Sequence, residues 1–274
     1  MRVTSLQDRL GRGITRAYAE QCPGDHVAEN VNAILLLTRP VAAAQRFWDR
    51  VRVLQPAVEP VLLDVCISPL LDIVMRDVSI CGDGFNGFVF TSRYGVLAAA
   101  EAELSRKLPC YCVGQTTADA ARKAGWPVAI VASCADALVA WMSETRPATP
   151  LLHVSGRETR GQIAARLSVD GLRTEKQIAY DQNLLPFTDE ALRVLDGKLP
   201  VIAPLFSPRT ARHFAREHKG QAPLWAAALS RAVADPLETL PLDALIVAEH
   251  PDAEKMVDAV GALYFQATRV ERSG

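Results

Sequence analysis

The 274-residue sequence lacks a long apolar run and an excess of charge of either sign. No stretch of about 18 apolar residues occurs and the first residues are charged, so we expect neither a membrane span nor a signal peptide. The formal net charge is −1, which argues against a nucleic-acid partner held by bulk electrostatics, because such proteins carry a basic surface. An anionic ligand must then be bound locally.

Common catalytic and metal-binding motifs are also missing. The sequence has no P-loop, HExxH, GxSxG or zinc-ligand spacing. Its six cysteines form no CxxC pair, so we expect reduced packing residues in a cytoplasmic protein. A metal site at Cys110 and Cys112, which share one face of a predicted strand, is the less favoured alternative. Residues 82–87 match G-x-G-x-x-G, but they precede a strand, whereas a dinucleotide fingerprint follows one, so we predict a turn.

Apolar segments instead alternate with helical patterns along the chain. Strands are predicted at residues 34–37, 57–65, 88–90, 109–113, 128–132, 151–154, 175–180, 224–229 and 244–248. Helices are predicted at residues 41–51, 94–107, 117–124, 135–142, 159–167, 210–218 and 252–263. This alternation predicts an α/β fold of doubly wound, Rossmann-like parallel sheets with helices on both faces.

The sequence also contains an internal repeat. Ser92 and Ser207 each follow an apolar strand and precede a helix, 115 residues apart (207 − 92). Residues 130–132 and 246–248 both read Ile-Val-Ala, 116 residues apart (246 − 130). A chain of this length accommodates two units of roughly 100 to 130 residues. We therefore predict two copies of one α/β unit.

Hydroxyl, glycine and arginine residues follow several predicted strands. The carboxyl ends of parallel strands share one rim, where helix N-termini and arginine side chains bind carboxylates or phosphates. Taken singly, each residue is more simply a helix cap or a surface arginine, but five such turns together predict an anion site. The candidates are Arg39, Thr91, Ser92, Gln115, Thr117, Arg157, Ser207 and Arg209.

Seven segments together resemble the uroporphyrinogen-III synthase family. Their order and spacing, over about residues 34–262, carry the resemblance. They are LLLTRP (35–40), FVFTSRYGV (88–96), VGQTTADAARKAG (113–125), SGRETRGQIAARL (155–167), IAYDQ (178–182), FSPRTARHF (206–214) and VAEHPDAEKMVDAV (247–260).

The resemblance implies a chain that leaves one domain, builds the second completely and returns. Domain 1 would comprise residues 33–65 and 183–266, and domain 2 residues 69–179. The two crossings would form a two-stranded hinge, with the binding cleft between the domains. Residues 1–32 would be an N-terminal extension.

The resemblance further implies closure of hydroxymethylbilane to uroporphyrinogen III, with loss of water and inversion of the last pyrrole ring. Such a cyclising hydro-lyase of haem biosynthesis needs no cofactor and no metal. Tyr180 matches the tyrosine at the family's hinge and would donate a proton to the departing hydroxyl; a ring that is merely packed in the hinge is an equal alternative. We expect a monomer that meets hydroxymethylbilane synthase transiently, with no membrane or nucleic-acid partner.

One segment departs from the family pattern. Residues 229–234 read LSRAVA where the family often has a glycine-proline turn and two threonines, although Ser230 and Arg231 offer other anion-binding groups. Two rival functions stay open: a non-catalytic two-domain anion-binding protein, and a regulatory protein with the synthase fold. The former would keep its affinity without Tyr180, and the latter would lose several rim hydroxyls.

Overall fold

The computed structural model describes residues 33–54, 63–159 and 161–271, with side chains described through residue 268. The chain divides into two compact units between residues 72 and 73 and between residues 182 and 183. We call residues 73–182 the continuous unit, and residues 33–72 with 183–271 the discontinuous unit. The predicted extension of residues 1–32 lies outside the described residues.

Strands and helices alternate along both units. The first part of the chain contains β1 (Ala33–Leu37), α1 (Val41–Leu54), β2 (Leu63–Ile67), β3 (Leu71–Met75), β4 (Gly87–Phe90), α2 (Arg93–Glu101), β5 (Cys110–Val113), α3 (Gln115–Lys123), β6 (Val128–Ala132) and α4 (Ala135–Thr145). The second part contains β7 (Leu151–Gly156), α5 (Ile163–Val169), β8 (Thr174–Leu184), α6 (Asp189–Leu195), β9 (Val201–Leu205), α7 (Pro208–Glu217), β10 (Leu224–Ala228), α8 (Arg231–Ala234), a 3-10 turn (Asp235–Thr239), β11 (Ala244–Val247) and α9 (Ala253–Glu271).

The discontinuous unit is built on a parallel sheet with the strand order β11-β10-β9-β1-β2. Every residue of β9 and β10 is buried, as expected for strands covered on both faces. Phe47 of α1 and Leu263 of α9 pack on one face. Leu195 of α6 and Phe214 of α7 pack on the other. The prediction of a doubly wound sheet is confirmed.

The continuous unit contains a sheet with the order β3-β8-β7-β4-β5-β6. Strands β4 to β8 pair in parallel. The edge strand β3, which the sequence did not predict, runs antiparallel to β8. Two hydrogen bonds show this, because Arg76 N donates to Ala179 O at 2.9 Å and Leu185 N donates to Leu70 O at 3.1 Å. The chain passes between the two units within β3 and within β8.

The internal repeat corresponds to equal runs of elements. Elements β4 to α4 in the continuous unit follow the same strand-helix order as β9 to α9 in the discontinuous unit. Ser92 and Ser207 occupy the same place in these runs, at the first residue before α2 and before α7.

Several predicted boundaries were wrong. The second strand was predicted at residues 57–65, but β2 (Leu63–Ile67) ends at Ile67; the predicted residues 57–62 lie outside the described part of the chain. The helix predicted to end at residue 107 ends at Glu101, because Glu103 adopts a left-handed φ of 54°, which stops an α-helix.

Other boundaries moved because tertiary contacts extend an element. The last helix reaches Glu271 instead of residue 263, since Tyr264 and Ala267 are buried and continue its apolar face. The glycine-rich residues 82–87 form a turn that feeds β4, as predicted. Among the described helices, none combines the length and apolarity needed to cross a lipid bilayer.

Candidate functional site

Two of the candidate residues lie where β4 ends and α2 begins. Ser92 has an extended backbone and its hydroxyl accepts a hydrogen bond from Tyr94 N at 3.2 Å. Ser92 is therefore the N-cap of α2, which satisfies one otherwise unpaired N–H group at the helix start. Thr91, half-buried, precedes it. The capping interpretation of Ser92 is thus correct, and any ligand must use the remaining donors.

Tyr180 lies in β8 with its ring almost completely buried. The side chain is 2% exposed, and its ring centroid is 5.7 Å from that of Tyr94. A Cβ at Gly156 would lie 2.5 Å from Tyr180 Cε2, so the ring occupies space that glycine leaves open. Burial raises the pKa of Tyr180, while hydrogen bonds with the Ser92 side chain and the Gly156 backbone oppose that rise. The phenol is consequently protonated at neutral pH.

Arg157, at the end of β7, contacts the residue after Tyr180. Arg157 Nε donates to Asp181 Oδ1 at 2.7 Å, and Arg76 Nη1 donates to Asp181 Oδ2 at 3.1 Å. Partial burial acts to raise the pKa of Asp181, but the hydrogen bonds and charges of Arg157 and Arg76 outweigh it and hold the pKa below its usual range. One carboxylate therefore lies between two guanidinium groups. The sequence did not indicate Arg76 or Asp181 as members of this group.

Gln115 and Thr117 lie in the first turn of α3. Gly114, with φ of 81°, precedes the helix and provides no side chain to cap it. Gln115 is exposed, and its Nε2 donates to Asp119 Oδ1 at 2.7 Å. Thr117 is only 6% exposed. Since β4 and β5 are parallel neighbours, the starts of α2 and α3 lie at the same edge of the sheet.

The remaining candidates lie together in the discontinuous unit. Ser207 Oγ accepts a hydrogen bond from Thr210 N at 3.1 Å and caps α7. The guanidinium of Arg39 lies 4.0 Å from the ring centroid of Phe206, the residue before Ser207. Arg209 is the second residue of α7. The structure therefore places Arg39 and the start of α7 beside each other, as parallel β1 and β9 require.

The segment that departs from the family pattern has its arginine already paired. Arg231 Nε lies 2.8 Å from Asp235 Oδ1, and its Nη2 lies 2.5 Å from Glu238 Oε1. Ser230 precedes α8 without a side-chain cap bond, in a helix of only four residues. Arg231, which the sequence suggested as an anion-binding substitute for the missing threonines, is therefore already paired with two carboxylates of the protein.

Sequence reasoning missed a histidine next to Thr91. His153 Nε2 lies 3.2 Å from Thr91 Oγ1, and the His153 side chain is 1% exposed. Burial, aided by the charge of Lys176, lowers the pKa of His153 to about 4. The imidazole is therefore neutral at neutral pH. Its position in a uniformly buried strand left no signal to separate it from a packing residue.

The described residues offer little for a metal ion. No group of three or more His, Cys, Asp or Glu side chains in that part of the chain is arranged to hold one. Cys110 and Cys112 are buried with their Sγ atoms 3.8 Å apart, which confirms that they share a strand face.

A comparison with known protein families shows which family this chain belongs to. A family model described as uroporphyrinogen-III synthase HemD matches residues 56–258. The chain belongs to this family. Members of the uroporphyrinogen-III synthase family are cyclising hydro-lyases of haem biosynthesis. The matched range includes most of the described elements of both units, and it contains all but one of the candidate residues, Arg39.

Solved structures show the same fold. Uroporphyrinogen-III synthetase from Helicobacter pylori aligns with a TM-score of 0.61 and 14% identity, covering 85% of this chain and 99% of that chain. A mutant uroporphyrinogen III synthase from the extremely thermophilic bacterium Thermus thermophilus aligns with a TM-score of 0.49 and 14% identity, covering 87% of this chain and 99% of that one. At these identities the likeness concerns the fold alone, and the second score is too low to add to the argument. No curated protein sequence gives a significant match.

Proposed function

We propose that this chain closes hydroxymethylbilane to uroporphyrinogen III, with loss of water and inversion of the last pyrrole ring. The observation that carries this assignment is the family match over residues 56–258. No feature of the described residues favours the non-catalytic or regulatory alternatives. The reaction makes the chain a lyase of tetrapyrrole biosynthesis.

The substrate carries acetate and propionate groups on every ring, so its binding requires several carboxylate contacts. Arg157 uses Nε to bind Asp181, but a guanidinium has five N–H donors, which leaves donors for a substrate carboxylate. The N–H groups at the starts of α2 and α3 that no cap uses are suited to the same ligand. We assign substrate binding to both units, through Arg39, Thr91, Ser92, Gln115, Thr117, Arg157, Ser207 and Arg209.

The chemical step needs a proton for the departing hydroxyl. When that hydroxyl leaves as water, the terminal carbon bonds to the substituted carbon of the last ring, and a spiro intermediate forms. We assign the proton donor to Tyr180, whose raised pKa keeps the phenol protonated at neutral pH, so that it has a proton to donate, although as a weak acid. Holding the substrate folded supplies the selectivity over the isomer that forms spontaneously.

A direct test supplies freshly made hydroxymethylbilane to the purified protein and separates the uroporphyrin isomers after oxidation. We expect isomer III in excess over an enzyme-free control run in parallel. A product mixture identical to that control would reject the assignment. The Asp49→Asn variant, altered in an exposed pair with Arg52 in α1, serves as a matched protein control that keeps full activity.

The cellular setting follows from the substrate. We propose that the protein works as a cytoplasmic monomer and receives hydroxymethylbilane from hydroxymethylbilane synthase in a transient encounter, because the free substrate closes by itself. The five cysteines of the described chain are free thiols, which agrees with a reducing compartment. Size-exclusion chromatography coupled to light scattering tests the monomer, for which we expect about the chain mass of 29.8 kDa.

A further inference from the structure

His153 lies directly behind a residue of the proposed substrate rim. Its Nε2 is 3.2 Å from Thr91 Oγ1, and its side chain is 1% exposed. The two residues come from neighbouring parallel strands, in which Val89 and His153 are in register. Thr91 lies two residues after Val89 and therefore projects to the same face of the sheet as His153.

The second ring nitrogen decides which tautomer is favoured. His153 Nδ1 is buried and has no hydrogen-bond partner among the described residues. A neutral imidazole carries one N–H donor and one acceptor nitrogen. If Nδ1 carried the proton, a buried N–H would be left unpaired, which is rarer in proteins than an unpaired acceptor. The proton therefore belongs on Nε2, which donates it to Thr91 Oγ1.

We propose that His153 is a positioning residue that makes Thr91 a hydrogen-bond donor toward the substrate. Because Thr91 Oγ1 accepts the Nε2–H of His153, its own proton is turned away from the imidazole and toward a ligand. An ionised carboxylate accepts hydrogen bonds and donates none, so a threonine held as a donor suits a substrate carboxylate. This inference rests on the proposed function, since it requires a carboxylate ligand at Thr91.

The tautomer is testable without substrate. Long-range ¹H–¹⁵N spectra of the full chain labelled with ¹⁵N-histidine report which ring nitrogen carries the proton, and the His153→Gln variant assigns the signal. We expect the proton on Nε2, and we expect the Thr91→Val variant to shift the Nε2 resonance. A proton on Nδ1, or an Nε2 resonance whose chemical shift is unchanged in Thr91→Val, would overturn the proposal.

Steady-state kinetics test the role toward substrate. We expect His153→Leu to raise KM about tenfold and to change kcat less than about threefold, because Thr91 is no longer held as a donor toward the charged carboxylate and its hydrogen bond to the ligand is weakened. His153→Gln, whose amide nitrogen can replace Nε2–H, keeps KM within about threefold of the wild-type value. In the Thr91→Val background, His153→Leu changes KM by less than about twofold, because the two residues act as one unit.

A packing control separates positioning from general damage. Leu151→Val alters a buried residue on the same face of β7 and should lower the urea midpoint without changing KM. An equal rise in KM from His153→Leu with and without the Thr91 hydroxyl would overturn the proposal. An inactive wild-type protein would instead reject the proposed function and, with it, the role toward substrate. The spectra would still decide the hydrogen bond between His153 and Thr91.

Discussion

At the scale of single residues, the site consists of groups whose neighbours set their protonation. Tyr180 is buried against the Tyr94 ring and the backbone of Gly156, and burial raises its pKa. Asp181, the next residue, lies between two arginines that lower its pKa against the effect of burial. Adjacent residues of one strand are thus held in opposite states, a neutral phenol and an ionised carboxylate.

If Tyr180 donates the proton, the Tyr180→Phe variant should lose turnover rate. We expect kcat for uroporphyrinogen III formation to fall about tenfold to a hundredfold, which is at or below the rate enhancement that a general acid usually provides. The fall is limited because the other contacts still hold the substrate folded. Tyr94→Phe, which removes the neighbouring hydroxyl that accepts from Arg93 at 2.8 Å, is the matched control and should retain activity. A Tyr180→Phe variant within about twofold of wild type would remove this residue from the mechanism.

Asp181 predicts a defined pH dependence of stability. Its pKa in the folded protein lies below the unfolded value of about 3.9, so its ionised form stabilises the fold above that pH. This contribution is lost as pH falls through the lower, folded pKa. We expect Asp181→Asn to lower the free energy of unfolding by less than about 1 kcal/mol at pH 7, since both arginines are partly exposed.

Urea unfolding of the wild type and Asp181→Asn at pH 7 and at pH 3 checks this dependence. The difference between the two proteins should shrink at the lower pH. A difference that grows on acidification would contradict the assigned sign. Asp49→Asn, in an exposed helical pair, should show a smaller difference at both values of pH.

At the scale of elements, the start of a helix can both be capped by a side chain and bind an anion, through different atoms. The hydroxyls of Ser92 and Ser207 cap α2 and α7, so they are occupied within the fold. At α2, the backbone N–H groups that the cap leaves unpaired are the donors available to an anion. An added negative charge at a cap should therefore spare the helix and repel the substrate.

Ser207→Asp separates these two uses. Aspartate caps helices about as well as serine, so we expect the free energy of unfolding to change by less than about 0.5 kcal/mol. We expect KM to rise about tenfold, because the new carboxylate stands where a substrate carboxylate would bind. The control is Thr188→Asp, since Thr188 caps α6 through Ala191 N at 3.2 Å and is not a candidate residue. Equal KM effects in both variants would contradict binding at α7.

At the scale of the whole molecule, two related units are joined by two strands. The core cluster around Val89, Leu138 and Leu167 draws all its members from the continuous unit. Strands β4 to β8 also find their partners there. A unit with its own core and complete strand pairing is expected to fold independently.

We therefore predict that a fragment of residues 69–186 folds alone. It should unfold in urea in one cooperative transition and should form no uroporphyrinogen III, since the proposed contacts from the discontinuous unit are missing. A fragment that ends at residue 172 lacks β8 and serves as the control, for which we expect no cooperative transition. A longer fragment that also unfolds without cooperativity would contradict the domain assignment, which remains a prediction.

The sequence by itself determined the fold class, the repeat and the family, because apolar periodicity and ordered motifs are local properties of the chain. It also placed hydroxyls and arginines at strand ends. Only the tertiary structure decided which of these side chains are occupied, as in the pairing of Arg157 and Arg76 with Asp181. The contact of His153 with Thr91 joins residues 62 positions apart. Such partners depend on strand register, which arises when distant segments pair, and no local pattern encodes it.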